Sequence, residues 1–423
     1  MSRRLLCVYQ HAPTPGAPGI YRHRVLLSEL VRRGWEVDLV STPLNYMTGA
    51  TDPRYAGRAY VRETIDGVVH HWVWASGAIH AAKRRRAANY VTFATSAALR
   101  SATLRRPDVI LVSSPPLSVG ALGPALAARF RRPWLLEVRD VWPESAVAVG
   151  WLARDSLAYA VLERIANRLA AQAEAVIVPT PGLVAPLLRH GARRVAVVPG
   201  VVRDVPPNSS RRQAIRSQLG VGESTCVFLY LGSIGTANGL ETLLDAARLV
   251  TAEDIAIVLV GDGSSRRTIE QRLAAESIPS VRLVGAVPQD AVHDWLAASD
   301  VCLHLLRPDP GFESALPSKV LEYFGAHRPF VTTVPGLPRR LALASGGGAA
   351  GDASSLAAEL SRWAALDPAE RSSAGERSFE LGRARFGLEA VASRLEDLLE
   401  HAAEGRSSRR AGPGSVPVVS RLR

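Results

Sequence analysis

Short apolar runs alternate with amphipathic stretches from the start of the chain to about residue 333, and this alternation restricts the fold more than any other feature. A run of four to six apolar residues flanked by glycine or polar residues reads as a strand buried on both faces. A helical pattern between consecutive runs makes successive strands parallel. Leu5–Tyr9 and Trp35–Val40 read as strands around a helix over Gly19–Arg33 that Gly34 closes. Val109–Ser113, Trp134–Val138, Ala175–Val178 and Val195–Val198 continue the series, with a helix over Ser156–Ala173. The stretch PGVVRDVPPNSSRRQ then breaks the pattern. It resumes with strands at Cys226–Leu231, Ile255–Val260, Val281–Val284, Val301–Leu305 and Phe330–Thr333, and helices at Leu240–Val250, Ser265–Glu276, Ala291–Ala298 and Pro317–Ala326.

A chain of 423 residues is too long for one core. The expected organisation is α/β, with two Rossmann-like, doubly wound parallel-sheet lobes over residues 1–200 and 225–385. A hinge over 201–224, a C-terminal helix over 386–403 returning to the first lobe, and a disordered basic tail over 404–423 complete it.

The net charge of +12 admits three classes of partner: nucleic acid, an anionic membrane, or phosphorylated ligands. No zinc-finger spacing, helix-turn-helix or aromatic-rich RNA-binding signature supports nucleic acid. Lys83-Arg84-Arg85-Arg86 precedes Tyr90, Val91, Phe93, Ala94 and Leu99, a pattern for an interfacial helix over 83–99 on an anionic membrane; a solvated charged face would look the same. No apolar run is long enough to span a bilayer. The N-terminus has too few apolar residues before His11 for a signal-peptide core. The three cysteines sit in apolar runs and make no disulfide framework, so a cytoplasmic protein is expected, at most peripheral on the inner face of the membrane.

FESALPSKVLEY, residues 312–323, is the most informative segment. Pro317 suits the first position of a helix, leaving the N–H groups of Ser318 and Lys319 free to meet an anion. Lys319 and Glu322 then share a face, separated by about 4.5 Å of rise, comparable to the reach from a nucleotide's phosphate to its ribose. A capped helix with an ordinary i,i+3 ion pair fits the same letters. Three strand-end loops carry glycines that permit close backbone approach: Gly16 and Gly19 after the first strand, Gly232 and Gly235 after Cys226–Leu231, and Gly261 and Gly263 after Ile255–Val260. None has the full dinucleotide spacing. EVRDVWPES clusters Glu137, Arg139, Asp140 and Glu144 at another strand end, with Asp140 the preferred polar group toward an acceptor. No D-x-D pair and no metal-ligand spacing of histidines occurs.

Together HAPTPGAPGIYRHRVLLSELVRRGWEVDLVST, LEVRDVWPES, YLGSIGTANGLETLLDAA, VGDG and FESALPSKVLEYFGAHRPFV resemble the retaining glycosyltransferases of family 4, in the subgroup of colanic-acid, O-antigen and capsular polysaccharide transferases. The resemblance implies a GT-B fold, its lobes facing across a cleft, and transfer from a nucleotide-diphosphate sugar, UDP-linked by expectation. The acceptor would be a glycan or a polyprenyl-diphosphate-linked glycan. It implies Lys319, Asp140, Glu313 and Arg139 as catalytic residues. Glu322, Gly16, Gly19, Gly232, Gly235, Gly261, Gly263, Ser318 and Leu316 would hold the donor. No cofactor or metal is expected, since D-x-D is missing and Lys319, arginine and helix N-termini would meet the charge of the leaving phosphate. The resemblance further implies that this phosphate takes the acceptor's proton, so that no protein nucleophile is needed. Two departures stand out. Eight residues separate Glu313 from Glu322 where the family has seven, putting Ser314 in the strict position, and Ser233 and Asn238 occupy places often taken by arginine and lysine. A nucleotide-sugar epimerase of the same fold and a non-catalytic donor-binding subunit remain the alternatives.

Overall fold

The computed structural model describes residues 2–17, 22–46, 49–77, 83–148, 151–252, 254–288, 291–308, 313 and 316–405. The chain divides into two compact units, residues 1–199 with 391–423, and residues 200–390.

The first unit is built on eight strands: β1 (Arg4–Val8), β2 (Glu36–Ser41), β3 (Tyr60–Ile65), β4 (Val68–Val73), β5 (Val109–Ser114), β6 (Trp134–Val138), β7 (Val176–Val178) and β8 (Val195–Val197). Their order is β3-β4-β2-β1-β5-β6-β7-β8. Every pairing is parallel except β3 with β4. The chain grows outward from β1 in both directions, so β1 and β5 flank the point where the strand order reverses. Sequence periodicity had not indicated the β3–β4 hairpin, although Asp66 and Gly67, both at positive φ, form the turn that such a pair favours.

The second unit has six strands, β9 (Cys226–Leu231), β10 (Ile255–Val260), β11 (Val281–Gly285), β12 (Val301–His304), β13 (Phe330–Thr332) and β14 (Gly348–Ala349), all parallel in the order β11-β10-β9-β12-β13-β14. Alternate residues serve separate cores: Cys226, Phe228 and Tyr230 enter one, Val227 and Leu229 the other. That division is the period-2 signature of a sheet covered on both faces. Here the order reverses between β9 and β12.

Three sequence expectations need correction or restriction. Residues 201–224 are not a plain linker, since Ser209–Leu219 is a helix of the second unit, capped by the Asn208 side chain and by left-handed Gly220. Pro317 is the N-cap, with extended backbone, and Ser318 is the first helical residue, because proline's ring is easily accommodated one step before the turn closes. The last helix, Leu388–Ala403, belongs to the first unit from Val391 onward. There Glu396 accepts from Arg33 Nη1 (2.8 Å) and Trp35 Nε1 (3.0 Å), and Glu400 pairs with Arg3 (2.6 Å). Residues 406–423 of the expected tail lie outside the described residues. All three cysteines are buried and unpaired.

Asp300, at the start of β12, is the acid on which the second unit converges. Its carboxylate meets Arg212 (2.9 Å), Arg216 (3.2 Å) and Arg371 (3.7 Å) and accepts the Val227 N–H of β9 (2.8 Å). One acid does not balance three guanidinium groups. Glu223 also pairs with Arg212 (3.1 Å) and lies 3.8 Å from Arg216, and carbonyls at the C-terminus of the helix Val292–Ala298 accept from Arg212, Arg216 and Arg328. Asp300→Asn is expected to destabilise the second unit by about 3 kcal/mol or more, because it strands buried guanidinium charge. Chemical unfolding of the variant measures this, and a stability near wild type would refute it.

Candidate functional site

In open parallel sheets, ligands meet the chain beyond the carboxyl ends of strands where the strand order reverses. Each unit has one such place. In the second unit it lies at the ends of β9 and β12, and the structure puts Gly232, Lys319 and His304 there.

The loop after β9 lies backbone to backbone against the loop after β10. Gly232 N–H donates to Val260 O (2.9 Å), and Ile234 N–H to Asp262 O (2.9 Å). Gly261, at φ +149°, faces the Gly232 carbonyl so closely that a Cβ there would overlap it. A Cβ on Gly263 would come within 2.6 Å of Ile234 O. These glycines are needed for loop-on-loop packing, which gives a physical reason for the spacing seen in sequence. Gly235 caps the short turn Thr236–Asn238, its N–H taken by Asn238 Oδ1 (3.3 Å). Gly239, in the left-handed region, ends it.

Lys319 rises from the first turn of the helix Ser318–Gly325 toward this plate. Its Nζ lies 3.5 Å from Tyr230 Oη and 4.6 Å from that ring's centroid. A Cβ on Gly232 would sit 3.0 Å from the same nitrogen. Among the described residues no carboxylate pairs with it. Glu322 shares its face but forms no ion pair with it, so the simple i,i+3 pair is absent. Burial pulls the Lys319 ammonium down to about 8, with Glu322 acting weakly the other way. Burial also raises the Glu322 carboxyl, against the pull of Arg203 and Lys319. His304, fully buried, bonds Thr332 Oγ1 through Nδ1 (2.9 Å) and is pushed down to about 3 by burial and then by Lys319, so it is neutral. Among the described residues the result is a cation without a counter-ion and, three residues on, an acid without a donor, at the carboxyl edge of the sheet.

Glu313 stands apart from this arrangement. Its side chain is exposed, and its carbonyl accepts the Leu337 N–H (2.6 Å) at the start of the next helix, where Gly336 has positive φ. Ser318 is exposed and Leu316 packs against the core. Ser314 and Gly19 lie outside the described residues. Gly16 is described, at φ +81° in an open turn.

In the first unit the corresponding edge gathers Tyr9, Gln10 and His11 after β1 with Arg139 after β6. Arg139 turns inward. It lies over the Tyr9 ring (4.8 Å), approaches Tyr9 Oη (3.3 Å) and donates to Pro115 O (3.0 Å). Asp140 faces solvent at the rim of a small cavity that it shares with Ser114, Trp142 and His190, and makes no ion pair with Arg139. Glu137, from the same sequence cluster, is the buried member. It accepts from Ser113 Oγ (2.5 Å), His23 Nε2 (2.6 Å) and Arg22, whose guanidinium also reaches Val198 O (2.6 Å) and Pro199 O (3.1 Å). Burial alone would raise the Glu137 carboxyl, but His23 and Arg22 hold it well below the usual range. His23, depressed by burial, donates as a neutral ring. His11 is likewise driven down to about 3 by burial and then by Arg139.

The sequence reading missed Tyr230, His11 and His23. The signal for Tyr230 was slight, a phenol ending the otherwise apolar CVFLYL of β9. The helix Lys83–Ala102 spends Phe93 and Ala97 on the core and exposes Val91 and Leu99; the side chains of Lys83 and Arg84 are outside the described residues. Among the described residues no group of three or more His, Cys, Asp or Glu is arranged to hold a metal ion, and no helix is long and apolar enough to cross a membrane.

A family model described as glycosyl transferases group 1 matches residues 225–365, and one described as a glycosyl transferase 4-like domain matches residues 19–200. The chain is 27% identical over 234 residues to WbjE of Pseudomonas aeruginosa, named as a probable glycosyltransferase; the match covers 54% of this chain and 58% of that one. It is 26% identical over 107 residues to WcaI of Escherichia coli K12, provisionally named as a colanic acid biosynthesis glycosyl transferase, covering 25% and 26%. The chain thus spans little more than half the length of the first relative and about a quarter of the second. Among solved structures, sucrose-phosphate synthase from Thermosynechococcus elongatus aligns at TM-score 0.70 and 19% identity over 95% of this chain and all of that one. HepE of Anabaena, in complex with UDP and glucose, aligns at 0.66 and 16% over 94% and 99%. These likenesses identify the fold as GT-B.

Gly261→Ala is expected to destabilise the second unit by about 2 kcal/mol or more, since Cβ would meet backbone rather than a movable side chain and the backbone conformation is strained for alanine. Chemical unfolding tests it. An unchanged midpoint would show that the two loops can separate freely.

Proposed function

We propose that this chain, matched by glycosyl transferase models over residues 19–200 and 225–365, moves a sugar from a nucleotide-diphosphate donor to a glycan or polyprenyl-diphosphate-linked acceptor in cell-surface polysaccharide assembly. We further propose a UDP-linked hexose or N-acetylhexosamine as donor, retention of configuration at the anomeric carbon, and a cytoplasmic site of action at the inner face of the membrane. The observation that carries this reading is Lys319, a half-buried ammonium that has no carboxylate partner among the described residues, at the edge where β9 and β12 end. The UDP complexes of HepE, a protein of the same fold, support the choice of nucleotide.

A diphosphate placed against the first turn of Ser318–Gly325 meets the Lys319 ammonium and free backbone N–H groups pointing along the helix axis. As the bond to the sugar breaks, negative charge grows on the leaving phosphate. A cation already desolvated and fixed over Tyr230 needs no reorganisation to stabilise it. Glu322, one turn along the same face, is placed to accept from ribose hydroxyls, whose donors offset its burial. No protein nucleophile is required if the leaving phosphate takes the acceptor's proton. Glu313 points to solvent and is assigned no contact with the donor. Arg139 and Asp140 sit on the acceptor-side unit, Arg139 bracing Tyr9 and Asp140 free to meet a hydroxyl-bearing ligand.

The ammonium's lowered pKa fixes a pH dependence. Donor binding needs Lys319 protonated, which costs nothing below about pH 8. Above that value each binding event must take up a proton, and the apparent Kd for UDP rises by up to about tenfold per pH unit. Titration calorimetry between pH 7 and 9.5 should show the rise in wild type and none in Lys319→Met, whose kcat/KM should fall about 10²-fold or more. An unchanged kcat/KM would remove Lys319 from the mechanism. We propose also that Lys319 and the helix N-terminus suffice without a divalent cation. Transfer is then expected to persist in EDTA, and activity lost to EDTA and restored by Mn²⁺ would overturn that.

A further inference from the structure

Ten of the twelve large apolar side chains that stand exposed among the described residues lie in the first unit. Three of them, Leu157, Val161 and Ile165, recur every four residues on the helix Leu157–Gln172 and so form one stripe, 81%, 45% and 40% exposed. Towards the end of the same helix Leu169, next in that row, and Ala170 turn into the core. A helix that packs inward and still offers water a continuous apolar stripe has a second surface to cover.

The charges around the stripe indicate what covers it. Arg164 and Arg168 are exposed along it, and Arg154 is exposed just before the helix. The one acid on the helix, Glu163, accepts from Tyr159 Oη (3.2 Å); Asp155 precedes the first turn. Trp151, 41% exposed, lies ahead of Arg154 with the Arg86 guanidinium 4.0 Å over its ring, which links this surface to the basic helix Lys83–Ala102. Apolar residues interleaved with arginine, preceded by a tryptophan, match the boundary between lipid headgroups and acyl chains. A second copy of the chain fits poorly, because a two-fold contact would set Arg164 and Arg168 against their own images. The chain's own residues 406–423 carry arginines and no acid, and are repelled likewise.

We propose that the Leu157, Val161 and Ile165 stripe, flanked by Trp151, Arg164 and Arg168, docks the first unit on an anionic lipid bilayer. The helix lies in the interface plane, its aliphatic side chains among the upper acyl carbons and its guanidinium groups on lipid phosphates. The inference stands on exposure and charge and is independent of the transferase reading, although a lipid-linked acceptor would explain its use.

Co-sedimentation of the full chain with vesicles of phosphatidylglycerol and phosphatidylcholine, against phosphatidylcholine alone, tests it. Binding is expected only to the anionic vesicles and should weaken with salt. Leu157→Glu with Val161→Glu should lower partition by about tenfold or more, and Arg164→Glu and Arg168→Glu by about fivefold each. Circular dichroism and the thermal shift produced by UDP should match wild type in all of them, which separates this surface from the donor site. No partition, equal partition onto neutral vesicles, or undiminished binding by the Leu157→Glu, Val161→Glu variant would overturn the proposal. So would a wild-type dimer in gel filtration that this variant dissolves, since a second copy would then be the occupant.

Discussion

The first unit depends on keeping one carboxylate charged in its interior. Glu137 is 2% exposed at the end of β6, where an ionised acid survives only if its surroundings replace the lost water. Those surroundings come from three directions. Ser113 brings in β5, His23 the first helix, and Arg22 a full opposite charge. Arg22 then spends its remaining donors on Val198 and Pro199, the last residues of the unit before the boundary. One desolvated charge therefore fixes strand, neighbouring strand, helix and chain exit together. The second unit repeats the logic with the signs weighted differently, arginines converging on Asp300.

Much of the two-unit, doubly wound architecture was legible because buried parallel strands are nearly pure apolar runs and the helices between them keep a 3.6-residue period. The failures have local causes. The hairpin of β3 and β4 carries charge and histidine, ETIDGVVHHW, so its alternation was obscured, and only Asp66-Gly67 advertised it. The helix Ser209–Leu219 begins at an Asn cap and stops at a Gly, yet its polar content made it look like linker. Lys319 and Glu322 could be picked out because spacing alone puts them on one face. Which member of EVRDVWPES turns inward could not, since Glu137, Arg139 and Asp140 alternate across a strand end and partners distant in sequence decide the matter. The glycine loops were visible as letters, but their purpose, carbonyl against glycine, needed coordinates.

The chain's handling of positive charge is selective. Only two of its 51 basic Lys and Arg residues are lysines, Lys83 and Lys319. Arginine suits the structural tasks, because its planar fork satisfies several carbonyls at once and stays charged, as Arg216 and Arg328 do. Lysine at 319 offers something arginine does not, a compact charge whose proton is held less firmly when no anion is present. Apo and liganded states thus differ in how strongly that charge is wanted.

The last helix has a consequence for how the molecule is made. Its Leu395, Leu398 and Leu399 are buried in the first unit, Leu395 beside Leu26 and Leu27 of the opening helix, and its Glu396 holds Arg33 and Trp35. A ribosome finishes the eighth strand of that unit and then needs about 10–40 s to synthesise the second before this helix exists. Throughout that interval the nascent first unit carries an open apolar seam along Leu26 and Leu27, a surface for a chaperone to hold until translation is complete.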